Sequence, residues 1–321
     1  MLYFCGLYTK GFDTMINRVL IRLKTVQVIY AYYQNGGQKP AMAERELAQS
    51  LDSAYSLYKT MLYLPVALTD MARLSVERQR RMNAVRISRK EELLAQNLFA
   101  GLLENNQELE QFVQDNPMEW LTKSDFIKET YAAMLESDAV EEYTQAEKFD
   151  FASDRELWKK LYKALFQENE SLDSLLEEQN IYWNGDRDLI DSFVIKTIRS
   201  MSESDGPETP LLSEYKDEDD RNFAIGLLRA GLQSRELREE LVAANCRRWD
   251  PSRLAFLDVL IIQTAIGELL GFPDIPVKVT INEYVEMAKI LSTPQSGAFV
   301  NGMLDAIAHD LSAGGKLDKE L

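Results

Sequence analysis

The chain has 321 residues, 45% of them hydrophobic and 27% charged, with two cysteines, one histidine and a formal net charge of −16. Such a supply of Cys and His excludes a Cys/His zinc site and a disulfide framework, and it fits a reducing cytoplasm. The length permits one large core or two domains, and no run approaches the roughly 18 consecutive apolar residues of a membrane span.

No Walker loop, GxGxxG or GxSxG is present. His309 sits in a helix tail among Ile307, Asp310 and Leu311 with no evident nucleophile to serve. The plentiful carboxylates fall on helical stretches, where they read as solvated faces, so no catalysis and no cofactor are expected. The charge is unevenly spread. Residues 15–90 carry thirteen Lys/Arg against five Asp/Glu, a balance of +8, and residues 91–321 carry twenty-two against forty-six, a balance of −24. An acidic chain of this kind can hold RNA on one face, because phosphate binding depends on local basic density.

In chain order, MLYFCGLY is apolar but short and lacks a basic start, so residues 1–14 are expected to be a leader ahead of a natural start at Met15. Residues 16–34 predict a first helix with Val19, Leu23, Val26, Ile29 or Tyr30, and Tyr33 on its apolar face, closed by Asn35, Gly36 and Gly37. A second helix is predicted over 43–81, burying Leu47, Leu51, Ala54, Leu57 or Tyr58, Met61 and Leu62, with Pro65 marking the place for a kink. Past its middle, Arg73, Arg78, Arg80, Arg81, Arg86, Arg89 and Lys90 crowd eighteen residues. They read equally as a solvated helix end or as a phosphate-binding patch, for which the planar arginine fork is suited.

From residue 91 the chain reads as helix throughout, with a candidate repeat. Trp120, Trp183 and Trp249 lie 63 and 66 residues apart, each after a Leu-rich helix and each followed seven residues later by Ile127, Ile190 or Phe256. One supersecondary unit used three times accounts for this, and so does chance reuse of leucine spacing. The tryptophans read as packing anchors. The stretch 202–220 clusters Gly, Pro and acids and predicts a flexible junction. Helices are then expected over 217–241 and 253–270.

Pro273 and Pro276 predict a rigid extended entry to the next helix. Thr280 and Glu283 have capping-box spacing, so the helix is expected to begin near them, with Ile281, Val285, Ala288 and Leu291 on its apolar face. After a break at Pro294 and Gly297, a second helix carries Phe299, Val300, Met303, Leu304, Ile307 and Leu311, with Gly302 as the point of close helix approach. The pattern gives an antiparallel helix pair, with Phe299 in the core.

This last region, PDIPVKVTINEYVEMAKILSTPQSGAFVNGMLDAIAHDL, resembles the C-terminal signature of the NusB transcription-antitermination family. The family typically reads PVKVAINEAVELAK followed by a loop of the type DSHKFVNGVLD. Here Pro276, Val277, Lys278, Ile281, Asn282, Glu283, Glu286, Ala288 and Lys289 match the first part. Ser296, Phe299, Val300, Asn301, Gly302, Leu304 and Asp305 match the second. Gln295, Gly297 and Ala298 stand where the family has Asp, His and Lys, in a loop that lies close to RNA in the family. Val26 to Tyr30 resembles the end of the family's first helix, while its arginine run is reduced to Arg18, Arg22 and Lys24. Gly267, Glu268 and Leu269 stand where the family often has Tyr, Glu and Leu.

The resemblance implies an all-α, NusB-like helical bundle with an additional helical extension, which carries the candidate repeat. The expected layout is a first helix in 15–37, an extension over 40–215 with the basic segment at 73–90, a NusB-like region over 216–313 and a tail at 314–321. The implied function is a cytoplasmic, non-catalytic antitermination and elongation adaptor. It would bind a boxA-like single-stranded RNA with ribosomal protein NusE, and act on RNA polymerase indirectly during ribosomal RNA transcription. Carried onto this chain, Arg18, Arg22 and Lys24 meet phosphates, Gln27 and Tyr30 read or stack on a base, and Asp258, Gln295 and Ser296 lie at the RNA surface. Arg81, Arg86 and Arg89 would supply basic density. Glu268, Lys278 and Glu283 mark the expected protein-partner face. A NusB-like module also precedes some ribosomal RNA methyltransferase domains, but only about ten residues follow the signature here. The alternative is a helical-repeat scaffold that binds protein without specific RNA recognition, favoured by the acidic extension.

Overall fold

The central helix of the NusB-like region is apolar on every side, as FLDVLIIQTAIGELLG shows, and a helix of that kind must be enclosed. In the computed structural model it is. The structure describes residues 14–37, 39–82, 87–183, 185, 187–245, 255–293, 295–317 and 319–320. Among the described residues, the fold is all-α apart from a two-stranded sheet made by β1 (Thr14–Ile16) and β2 (Ser213–Tyr215). Among the described residues, no helix is long and apolar enough to cross a membrane.

The chain divides into two units. One comprises Ile16–Asp52 with Glu214–Leu321, and the other comprises Ser53–Ser213 with the described residues up to Met15. In chain order the helices are α1 (Arg18–Gln34), α2 (Pro40–Arg81), α3 (Arg89–Ala95), α4 (Leu98–Glu104), α5 (Gln107–Asp115), α6 (Glu119–Thr122), α7 (Asp125–Glu136), α8 (Asp138–Thr144), α9 (Phe151–Leu165), α10 (Glu170–Gln179), α11 (Arg187–Ser200), α12 (Glu218–Gln233), α13 (Arg235–Asn245), α14 (Phe256–Gly271), α15 (Val277–Leu291) and α16 (Ser296–Ala313). Helix α2 runs through Pro65 and has its first residues, to Asp52, in the first unit.

In the first unit, α14 packs against α1, α12, α15 and α16. Its Ile261, Ile262, Ala265, Ile266 and Leu269 share a core with Val26 of α1, Tyr284 and Ala288 of α15, and Val300, Leu304 and Ile307 of α16. Asn17 caps α1 by accepting from the Val19 and Leu20 amides, and Gly36 and Gly37 close it at positive φ, as the sequence predicts. Three expectations are corrected here. Residues 217–241 form two helices because the Ser234 hydroxyl donates to the Ala230 carbonyl at 2.7 Å and turns the chain there. Helix α15 starts at Val277, with Pro276 in the cap position. Thr280 therefore makes no capping box, and its hydroxyl donates instead to Glu268 at 2.9 Å. The close helix approach occurs at Gly267 rather than Gly302: a Cβ on Gly267 would lie 2.7 Å from the Ala230 carbonyl carbon and the Gly231 nitrogen, whereas one on Gly302 meets nothing within 4 Å. Phe299 is half-buried and packs against the core.

The second unit is centred on Trp158, whose indole donates to Asn97 Oδ1 at 3.0 Å, and on Tyr162, which donates to Asp191 at 2.7 Å. Trp120 and Trp183 lie in this unit with ring centroids 6.1 Å apart, and Trp183 donates to the Ser53 carbonyl at 2.9 Å. Trp249, the third member of the candidate repeat, lies outside the described residues. The expected flexible stretch is tied down: Asn106 donates to the Thr209 carbonyl, Gln107 N to the Pro207 carbonyl, and Tyr55 to the Leu212 carbonyl at 3.1 Å, while Leu212 N donates to the Tyr58 hydroxyl at 3.3 Å.

Asp150 forms a capping box with Ser153 at the start of α9. The Lys148 ammonium first, and the Ser153 amide second, hold its carboxyl at about 2 against an ordinary 3.8. A depressed folded pKa means that the cap's contribution is present above the ordinary value and is lost as the pH falls toward the folded one. An NMR titration of the Asp150 carboxyl is expected to show a midpoint near 2. A midpoint at the ordinary aspartate value would show that the cap is not formed in solution.

Candidate nucleic-acid interface

Helix α1 presents one side to the core and the other outward, and its cations fall on both. Arg22 is only 3% exposed and Glu268 is fully buried. Arg22 Nε and Nη2 donate to the two Glu268 oxygens at 2.7 and 2.9 Å, a bidentate pair. Thr280 and Tyr284 also donate to Glu268, and Arg22 Nη1 lies 3.6 Å from Glu283. Burial, and then the Glu268 charge, push the Tyr284 hydroxyl well above its ordinary pKa, so it remains a donor. Burial also raises the Glu283 carboxyl, although Arg22 opposes the shift. This network ties α1, α14 and α15 together, so the polar atoms of Arg22 and Glu268 are turned toward each other rather than outward.

Lys24 is likewise buried. Arg18 is half-exposed, donates to Asp220 at 3.2 Å and lies over the Phe223 ring at 4.9 Å. Gln27 is half-buried.

The outward end of α1 is aromatic. Tyr30 is 40% exposed, and its ring lies 5.8 Å from that of Phe256, itself 43% exposed, at the start of α14. Two residues further along α14, Asp258 is buried and accepts from the Ser296 hydroxyl at 2.9 Å. Its second oxygen, Oδ1, has no hydrogen-bond partner among the described residues. Ser296 opens α16 and shares hydrogen bonds with Thr293 and Ser292, and Gln295 beside it is exposed. The structure therefore places Tyr30, Phe256, the buried pair Asp258 and Ser296, and the exposed Thr293 and Gln295 at the same end of α14. On α15, Lys278 is exposed and Glu283 is half-buried.

Arg81 and Arg89 belong to the other unit, and Arg86 lies outside the described residues. The basic segment there is largely matched by acids. Arg73 meets Asp70 and Glu104, each at 2.8 Å, Arg80 meets Glu92 at 3.9 Å, Arg81 meets Glu77 at 3.1 Å and Lys90 meets Glu141 at 2.7 Å. Arg89 lies over the Phe149 ring at 5.8 Å. Among the described residues, no group of three His, Cys, Asp or Glu side chains gathers as a metal-ligand set.

Sequence reasoning passed over Phe256 because α14 is apolar on all sides, so periodicity assigns it no outward face. The usable signal was an aromatic in the first turn of that helix.

The NusB family model matches residues 192–309. The transcription antitermination protein NusB of Salinibacter ruber is 36% identical over 132 residues, covering 39% of this chain and 82% of that protein. Its counterpart in Koribacter versatilis is 37% identical over 112 residues, covering 34% of this chain and 77% of the relative. That of Geobacter sulfurreducens is 36% identical over 133 residues, covering 40% of this chain and 96% of the relative. No solved structure matches. With nearly the whole of a NusB protein aligned at this identity, and with the enclosed central helix and signature hairpin in place, the chain belongs to the NusB family.

Proposed function

We propose that this protein is a cytoplasmic, non-catalytic transcription antitermination factor. It binds a boxA-like single-stranded RNA together with ribosomal protein NusE and supports ribosomal RNA transcription by joining the RNA polymerase elongation complex. The observation that carries the RNA reading is the half-exposed Tyr30–Phe256 ring pair at the start of α14. Solvent-exposed aromatic rings at one helix end suit unpaired bases, because every base has a π-face and stacking tolerates sequence. Gln27 and Gln295 supply hydrogen-bonding groups for base edges, and the buried Ser296 holds Asp258 in place. Arg18 is half-exposed and can meet a phosphate with the guanidinium nitrogens that its pair with the buried Asp220 leaves open. Lys278 and Glu283 on α15 mark the side for NusE.

Tyr30→Ala is expected to weaken binding of a boxA-like RNA about tenfold, from the roughly 1–3 kcal/mol that a base gains on an aromatic platform. Filter binding against a scrambled RNA at two salt concentrations checks this. Equal affinity of wild type and variant would remove Tyr30 from the interface. The scaffold reading draws on the carboxylate pairing of the basic segment. It would be adopted if neither RNA bound at low salt. A steep salt slope without sequence preference would mark charge alone.

A further inference from the structure

The aromatic face continues beyond Phe256. Tyr33, one turn past Tyr30 on α1, lies nearly perpendicular to Phe256 at 6.4 Å and to Tyr32 at 5.3 Å between ring centroids. Its hydroxyl accepts from Gln263 Nε2 at 3.0 Å, and Gln263 also donates to the Gly231 carbonyl at 2.7 Å, so the ring is held from beneath by α14 and α12. Over that ring lies Arg235, the first residue of α13, with its guanidinium carbon 5.5 Å from the ring centroid. The Arg235 side chain is 59% exposed, and its Nε donates to Glu239 at 3.2 Å. An exposed pair of that kind is weak and screened, so the cation can turn to an incoming anion.

We propose that Arg235 and Tyr33 form a further base-stacking position for single-stranded RNA, continuous with the Tyr30–Phe256 platform and resting on the reading of that platform as the RNA face. A guanidinium lying over a ring offers a flat face to the far side, against which an unpaired base can lie while the N–H fork takes the adjoining phosphate. Continuity with the platform favours RNA over a protein occupant: the exposed rings run on to a planar cation, and the exposed Glu239 that pairs with it is released when a phosphate takes its place. This cation also answers a shortage, because Arg22 and Lys24 of α1 are buried.

The full-length protein is titrated into a single-stranded oligoadenylate carrying 2-aminopurine, whose fluorescence is quenched on stacking. Arg235→Ala, Arg235→Lys, Tyr33→Leu and the double variant Tyr30→Ala/Phe256→Ala are compared with wild type. Arg235→Ala, at an exposed site, leaves the far-UV circular dichroism unchanged and is expected to weaken binding about threefold to tenfold with partial loss of quenching. Arg235→Lys is expected to keep the salt dependence and still lose quenching, since an ammonium has charge but no plane. If Arg235→Ala and Tyr33→Leu bind and quench like wild type while the double variant binds weakly, the further position is refuted and the platform stands. If the double variant also matches wild type, or if wild type does not bind, both are refuted. Weaker binding of Arg235→Ala with quenching intact would reduce Arg235 to a phosphate contact and refute stacking.

Discussion

Arg22→Ala is expected to lower the stability of the NusB-like unit by about 3–5 kcal/mol, the cost of leaving one member of a buried ion pair without the other. The reason is geometric. Glu268 is fully buried and takes two of its four hydrogen bonds from Arg22, so removing the guanidinium leaves a carboxylate with Thr280 and Tyr284 as neutral donors. Glu268→Ala is expected to cost a similar amount, because Arg22 is then left with Glu283 at 3.6 Å. The paired substitution Arg22→Met with Glu268→Leu should cost much less than the two single changes together, since it removes both charges and refills the space. Urea unfolding gives the free energies, and hydrogen exchange of the α1 amides shows whether that helix is the part released. A loss under about 1 kcal/mol for Arg22→Ala would mean that the pair is solvated in solution and does not hold α1 in place.

The second large effect is expected at Gly267. Alanine there places a methyl carbon 2.7 Å from backbone atoms of Ala230 and Gly231, and backbone cannot step aside as a flexible side chain can. Helices α12 and α14 must separate, at about 3 kcal/mol, the upper end of overpacking in a dense core. The same change at Gly302, which faces open space on an exposed part of α16, should instead stabilise by about 0.5–1 kcal/mol through the better helix propensity of alanine. Thermal denaturation of the two variants checks the opposite signs. Equal shifts would show that α12 and α14 do not pack this closely in solution.

The signature hairpin was legible because its apolar spacing and its prolines act locally. Val300, Met303, Leu304, Ile307 and Leu311 are buried as the pattern requires, and α16 runs through all of them. What pattern could not supply was the partner of each group. Thr280 has capping-box spacing, yet its hydroxyl turns to a carboxylate twelve residues earlier on another helix. Gly267 and Gly302 look alike in sequence, and only the position of α12 decides which one must lack a side chain. Arg22 and Glu268 lie 246 positions apart, so nothing local signals that each is the other's counter-ion. Reading cations on the first helix as phosphate ligands therefore took in Arg22 and Lys24, which are buried, while Arg235, Tyr33 and Phe256 were passed over. On the candidate face, the aromatic rings depend on how α1 crosses the start of α14, and that crossing is a product of the whole core.

The Tyr55 hydroxyl and the Leu212 carbonyl sit one hydrogen bond apart, although 157 positions separate them along the chain. A polypeptide that leaves a host fold and returns to within bonding reach of its point of departure can be lengthened or shortened in between at little entropic penalty, since closure cost grows only with the logarithm of the excursion. Evolution could therefore enlarge such a NusB protein by elaborating a side loop, with the ancestral bundle left to assemble from its two flanking segments.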